Sequence, residues 1–507
     1  MSVPAGRDDA VVVGAGVAGL SAAIALAAAG SQVSVAEAAR HPGGKIRAWR
    51  DGDAAVDVGP TVFTMPWVFD ELLAAANTSL SDEVRLEPLE VLAHHRWPDG
   101  TTLDLYADHA RTRDAIGDFA GRQAVAQYES FCRQSQRIFD ALRDTFLTRS
   151  QPGLVGLIRN TGAARIGTLS GLQPFRTLWD ALQSQFDDAR LRQLFGRYAT
   201  YCGSSPFAAP ATLMLIAHVE RLGVWRIDGG IAALAAALER VAIRLGVAFE
   251  YGRPVRRIRI AGRRVSGVEL DDGQHIDANR VIVTADTNAV ASGAFGADLC
   301  EAVAPTPARR RSLSAITWAG TARVEADALA CHNVVFSDDY AAEFRQLFGR
   351  RTIPNPPTVY LHLPDRGGAA HTAGRERAFM LINAPADGDA AAPSDPQAAA
   401  AAVVRQLGAC GITLPAGLDE LDATGPADFH RRFPATGGAL YGPATHGWRA
   451  AFRRPGNRTS IAGLYLAGGS VHPGAGVPMA ALSGRLAAAC AVDDRHRNRR
   501  PATRIAS

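Results

Sequence analysis

Ala10-Val11-Val12-Val13-Gly14-Ala15-Gly16-Val17-Ala18-Gly19 decides the fold of this chain. The apolar run predicts a buried strand, and Leu20-Ser21-Ala22-Ala23-Ile24-Ala25-Leu26 continues as a helix. Gly14 permits the tight turn between them, Gly16 lets a pyrophosphate approach the backbone, and Gly19 lets the helix close onto the strand. The start of such a helix offers backbone amides and a positive dipole end to phosphate. A second apolar run, Val33-Ser34-Val35-Ala36, ends in Glu37, whose carboxylate is placed to accept a ribose hydroxyl. Strand, glycine turn, helix, strand and acid together point to a site for an ADP-containing dinucleotide.

The 507 residues can bury a large core, and the length predicts two or three domains. Apolar residues make up 47% and charged residues 21%, the balance of a folded water-soluble chain. A net charge of +4 is too mild to argue for nucleic acid. Lys45 is the single lysine, so the basic residues are otherwise arginine, which reads as genome base composition. Cys132, Cys202, Cys300, Cys331, Cys410 and Cys490 are scattered, with no CxxC pair and no metal-ligand spacing, which suits a reducing cytoplasm. Ala10 to Ala36 carries no charge, but its glycines and serines and the preceding Asp8-Asp9 fit a buried strand-helix-strand better than a signal peptide or a membrane span.

Residues 1–75, 223–300 and 426–490 read as a discontinuous nucleotide-binding domain. Residues 76–107 and 301–425 read as a substrate domain, the latter mixed and loop-rich, with an exposed connection near Asp387–Gln397. Residues 108–222 read as mostly helical, and 491–507 as a basic disordered tail. Between Asp144 and Asp180 no acidic residue occurs, and Arg149, Arg159, Arg165 and Arg176 alternate with Phe146, Leu147, Leu154, Leu157, Ile158, Phe175 and Trp179. Basic and apolar side chains interleaved in this way suit the headgroup boundary of a membrane, although a helical face packed on a core has the same pattern.

Further motifs follow in order: Pro42-Gly43-Gly44-Lys45, Asp57-Val58-Gly59-Pro60-Thr61, Gly229-Gly230, and His472-Pro473-Gly474-Ala475-Gly476-Val477-Pro478. Together they resemble the flavin amine oxidase superfamily and, within it, the bacterial-type carotenoid (phytoene) desaturases. The run Gly59-Pro60-Thr61-Val62-Phe63-Thr64-Met65-Pro66-Trp67-Val68-Phe69-Asp70-Glu71-Leu72 is similar to that of the 1-hydroxycarotenoid 3,4-desaturases, also called methoxyneurosporene dehydrogenases.

The resemblance implies an α/β fold: a Rossmann-like FAD-binding domain of glutathione-reductase/amine-oxidase type, a discontinuous α+β substrate domain and a helical, membrane-facing part. It implies FAD held without a covalent bond. Gly14, Ala15, Gly16 and Gly19 would hold the pyrophosphate and Glu37 the adenosine ribose. Gly43, Gly44 and Lys45 would line the phosphate and ring side, Gly59, Pro60 and Thr61 the isoalloxazine, and Val255 the adenine. Gly469 and Ser470 would meet the ribityl phosphate, and the helix starting at Val477-Pro478 would aim its dipole at the flavin's pyrimidine end. Ser470 stands where many members carry aspartate, and Ile227 where related desaturases carry proline.

The activity implied is desaturation between carbons 3 and 4 of an acyclic 1-hydroxy or 1-methoxy carotenoid. Hydride loss from carbon 4 to the flavin and proton loss from carbon 3 would form the bond, with no dedicated carboxylate required. The protein would lie in the cytoplasm, bound peripherally to the inner membrane, with oxygen or a quinone as electron acceptor. His472 is a candidate proton relay or a loop anchor; Lys45 a cofactor contact or a solvated lysine; Trp67 and Phe69 tunnel walls or plain core. A phytoene desaturase, a carotenoid cis–trans isomerase and a non-catalytic flavin-binding scaffold are the alternatives.

Overall fold

The computed structural model describes residues 9–147, 149–150, 175–366 and 374–499. The opening motif folds as its residue pattern requires. Asp9–Val13 is the middle strand of a five-stranded sheet with spatial order Leu464–Leu466, Arg280–Val283, Asp9–Val13, Gln32–Glu37, Ala248–Tyr251. All four pairings are parallel. Parallel strands buried on both faces read as unbroken apolar runs, as Val11-Val12-Val13 and Val281-Ile282-Val283 do. The helix Val17–Ala28 covers one face beside the helices Ala232–Arg244 and Val477–Arg499. The first and last helices run so close that a Cβ on Gly484 would lie 2.1 Å from the Ala18 carbonyl oxygen. A three-stranded antiparallel sheet, Val255–Ala261, Arg264–Leu270 and His275–Asp277, packs on the same unit.

A second, seven-stranded sheet has the order Asp422–Thr424, Ser314–Arg323, Arg375–Ala384, Val359–His362, His332–Val335, Val91–Arg96, Thr102–Tyr106. It is mixed, with one parallel pairing between His332–Val335 and Val91–Arg96. Residues 301–425 are mixed and rich in loops, as the sequence reading has them, but they also supply five of the seven strands. Ser314–Arg323 and Arg375–Ala384 pair in register over their whole length. Ser314–Arg323 is buried on both faces, which erases the alternation that marks a half-exposed strand, whereas Arg375–Ala384 keeps much of it. The helix Pro396–Ala409 covers one face through Ala399, Val403 and Leu407. The other face looks toward the nucleotide-binding unit and the helical part, where the long helix His109–Leu142, turned at Gly121, packs against Leu215–Arg221.

Two boundaries differ from the sequence reading. The helix Pro426–Arg432 and the loop after it remain with the second sheet: Gly388 donates to the Gly437 carbonyl and Leu440 to that of Leu313. The return to the five-stranded sheet thus comes later than residue 426. The last helix continues through Arg499 with Ala491 buried, so residues 491–499 are ordered helix, not tail. Its apolar side chains reach the first core cluster, which holds the helix together past its last alanines.

Candidate functional site

Where the central strand ends, the chain must turn sharply without side chains in the way. Gly14 lies at φ +102°, and a Cβ there would meet the Thr284 hydroxyl at 2.5 Å. A Cβ on Gly19 would lie 1.9 Å from the Gly14 carbonyl oxygen, so the helix approaches the strand only because that atom is missing. Gly43 donates to the Ala15 carbonyl at 2.9 Å, and Gly44 stands so near Gly16 that its Cβ would lie 3.1 Å from the Gly16 Cα. The result is a cradle of bare backbone at the start of a helix that no side chain caps. Such a cradle suits a pyrophosphate, and FAD carries one.

The Glu37 carboxylate accepts from the Ala15 amide at 2.6 Å and the Ala39 amide at 2.8 Å. It therefore secures the glycine turn as well as standing at the end of its strand, where its remaining lone pairs can meet a ribose. Val255 begins its strand two residues after Arg253, whose amide donates to the Glu37 carbonyl, so it lies beside this acid. Val477 and Pro478 open the last helix, which starts at the same carboxyl edge of the parallel sheet as the first. The cradle thus has two helix starts beside it.

Lys45 is no solvated lysine. Its ammonium is buried, donates to the Leu440 carbonyl at 2.5 Å and lies 5.4 Å from the Phe433 ring centre. Burial pulls its pKa down, while Asp286 holds it up. Gly59 packs against its carbonyl, a Cβ there falling 2.1 Å from the Lys45 oxygen. Pro60 and Thr61 continue that loop toward the second sheet, where the Thr61 hydroxyl meets the Tyr360 hydroxyl at 2.6 Å.

At the last loop, the Gly469 carbonyl accepts from Arg454 at 2.6 Å. The Ser470 hydroxyl accepts from the Thr287 amide at 3.0 Å, so this serine holds the 468–476 loop to a neighbouring turn. His472 is an anchor: Nε2 donates to the Phe146 carbonyl at 2.8 Å, and burial lowers its pKa to about 4. A carbonyl accepts only, so the ring carries its proton on Nε2 and is neutral at pH 7. Phe69 is core, against Phe63 at 5.5 Å, and Trp67 packs on the same cluster.

Three residues have roles that the sequence reading did not assign. Asp57 accepts from the Ile231 and Ala232 amides beneath Gly230, and burial pushes its pKa up to about 6. It opens the Asp57–Thr61 motif, which marked the position but not its role. Arg454, buried, ties the carbonyls of Tyr441, Pro443 and Gly469 together, and nothing distinguishes it among so many arginines. Tyr360 lies in a strand with no motif.

Of the basic and apolar stretch after Asp144, Phe146 and Leu147 are buried in the first core and face no lipid. Arg159, Arg165, Leu154, Leu157 and Ile158 lie outside the described residues. Phe175 is 77% exposed against Trp448, which carries Arg449 over its ring. No helix among the described residues is long and apolar enough to cross a membrane.

The Flavin containing amine oxidoreductase family profile matches residues 17–492. The chain is 45% identical over 496 residues to a hydroxyneurosporene desaturase of Rubrivivax gelatinosus, covering 96% of this chain and 94% of that protein. It is 30% identical to a 1-hydroxycarotenoid 3,4-desaturase of Flavobacterium sp. (strain P99-3), over 94% of this chain and 98% of that one. Among solved structures, putrescine oxidase bound to putrescine superposes with a TM-score of 0.61 at 16% identity, over 97% of this chain and all of the other, a likeness of fold. With the backbone cradle between two helix starts, this family match makes the chain a member of the flavin-containing amine oxidoreductases and an FAD-dependent oxidoreductase.

Proposed function

We propose that the protein introduces the carbon 3–carbon 4 double bond into an acyclic 1-hydroxy or 1-methoxy carotenoid. The observation that carries this reading is the 45% identity, along almost the whole chain, to a protein named for desaturation of hydroxyneurosporene. The bare cradle formed by Gly14, Gly16, Gly43 and Gly44 would hold the FAD pyrophosphate, and Glu37 the adenosine ribose. Bound there, FAD supplies a two-electron acceptor for hydrogen taken from carbon. The chain's own residues then have three tasks: to align a hydrocarbon, to exclude water and to hold the loops. Val58, Thr61, Val62, Tyr360 and Leu381 are only partly buried and mostly apolar, and they would line the path of such a substrate. Carbon 4 is allylic to the polyene, so charge developing there spreads over the conjugated chain, and a weak base suffices at carbon 3. A neutral His472 holding its loop is consistent with that division of labour.

Incubation of the FAD-loaded protein with 1-hydroxyneurosporene tests the proposal. The product should absorb to the red of the substrate and weigh two hydrogens less. Unchanged mass with an altered isomer would make it an isomerase, and turnover of phytoene in preference a phytoene desaturase. Gain of oxygen would place it with the 4,4'-diaponeurosporene oxygenase of Staphylococcus aureus (strain MSSA476), to which it is 29% identical. Binding without conversion would leave a flavin-binding scaffold. We also propose that the protein meets its water-insoluble substrate at the inner membrane, with Phe175, Trp448 and Arg449 at the contact. It should float with anionic liposomes, and a protein that ignores them at low salt has no such contact.

A further inference from the structure

The face of the second sheet that looks toward the cofactor unit carries polar side chains where an apolar substrate cavity needs none. Val359 and Leu361 pack toward the helix Pro396–Ala409, so the alternation of the strand sends Tyr360 and His362 to the opposite face. His332 stands directly across from His362, their rings stacked with centres 5.0 Å apart. His332 Nδ1 meets the Tyr360 hydroxyl at 2.7 Å, and that hydroxyl meets Thr61 at 2.6 Å. The string therefore begins deep in the sheet and ends on the loop that leaves the cradle beside Lys45. His332 and His362 are buried, while Tyr360 and Thr61 keep part of their surface accessible, so the string becomes more accessible toward its hydroxyl end. His362 Nδ1 is buried with no hydrogen-bond partner. A polar group kept in that condition calls for a reason.

We propose that Thr61, Tyr360 and His332 read the oxygen at the end of the substrate chain, an inference that rests on the activity proposed above. The string is neutral, since burial lowers the pKa of His332 to about 4 and holds the Tyr360 phenol far above its ordinary range. It can also run in either direction. With Tyr360 donating to His332 Nδ1 and Thr61 donating to Tyr360, the Thr61 oxygen is left to accept from an alcohol. With the other imidazole tautomer the order reverses, and the Thr61 hydroxyl is free to donate to an ether oxygen. One string thus serves a hydroxy and a methoxy end. An oxygen on carbon 1 is only a few bonds from carbon 4, so its reader must stand close to the reacting carbon, which a loop leaving the cradle can do. A hydrocarbon end leaves the hydroxyls without their partner, and sites built to pair with a substrate hydroxyl discriminate strongly against analogues lacking it.

The experiment measures kcat/KM for 1-hydroxyneurosporene and for neurosporene in the FAD-loaded protein and in Tyr360→Phe, Thr61→Val and His332→Gln. Flavin content reports folding, and Thr61→Val, on a partly accessible loop, serves if the two changes within the sheet do not fold. The ratio of the two kcat/KM values should fall about 10- to 100-fold in Tyr360→Phe and Thr61→Val. Equal losses on both substrates would overturn the proposal, as would a shifted pH profile with an unchanged ratio, which would mark a proton path. So would stoichiometric zinc in the purified protein, because Cys331, His332 and His362 bring their ligand atoms within 4.8 Å of one another. If the unmodified protein converts neither carotenoid, the activity itself is wrong. Perturbation of the flavin spectrum by the two carotenoids, in wild type and Tyr360→Phe, then still decides whether the string senses the oxygen.

Discussion

At the edge of the five-stranded sheet the cradle is made of backbone, and side chains are excluded from it. Gly19, Gly43 and Gly44 bring main-chain atoms together at distances that a Cβ would violate, and a Cβ on Gly14 would meet the Thr284 hydroxyl. On the facing surface of the seven-stranded sheet the reverse holds. There the chemistry belongs to Tyr360, His332 and His362, carried by strands whose backbones are engaged in ordinary pairing. Backbone geometry of the first kind tolerates almost no substitution, whereas side chains of the second kind can change with substrate while the sheet persists. The likeness to putrescine oxidase at 16% identity is one of fold and leaves the side chains of either region free to differ.

The sharpest way to break the comparison is Gly19→Ala. The added methyl would fall 1.9 Å from a backbone oxygen that cannot move without opening the glycine turn. We expect at least a hundredfold loss of FAD affinity, seen as purified protein without flavin colour. Gly30→Ala is its control: φ is +77° but nothing lies within 4 Å, so the cost should be about 1 kcal/mol, with flavin retained. In the second sheet, Arg366 grips the buried carboxylate of Glu376 through Nε at 2.9 Å and Nη2 at 2.5 Å. Arg366→Met should lower unfolding stability by about 3 kcal/mol. Flavin content of the folded fraction should stay unchanged, and a colourless folded variant would show that the two regions are not separable.

A smaller effect distinguishes the loop between them. His472 titrates at about 4 in the folded chain and near the ordinary imidazole value when unfolded, because burial disfavours the charged ring. Between those values the unfolded state binds the proton. Its contribution is therefore full above about pH 6.5 and is lost as pH falls toward 4. Against His472→Gln, wild type should lose about 2 kcal/mol more between pH 7 and pH 5, measured by denaturant unfolding at both pH values. The other buried titrating groups, Asp57 and Glu343 among them, are common to both proteins and cancel. Least of all, Asp298→Asn removes the half-exposed pair with Arg257 and should change stability by under about 0.5 kcal/mol in the same assay.

Legibility followed the same line between the two regions. The strand, turn, helix and acid of residues 10–37 sit within one short window, and each residue type there answers to a local backbone demand. The glycines at 43, 44 and 59 are likewise local in kind, and each proves to stand against backbone. The second sheet left no such trace. Ser314–Arg323 is buried on both faces, so its composition carries no period, and it pairs with a strand that follows only after a long interval. His472 was legible as a loop anchor, but its acceptor was not, since Phe146 lies 326 positions away. Val255, Gly469 and Ser470 are placed beside or across from the cradle by pairings made elsewhere in the chain.

The amino-acid order alone determined that bare backbone gathers at a strand-to-helix turn fit for a dinucleotide, because steric exclusion at a glycine acts over a few bonds. Only the folded molecule decided that Thr61, Tyr360 and His332 share one string of hydrogen bonds. Their meeting depends on strand register and on how two sheets face each other, and neither is set until distant segments have packed.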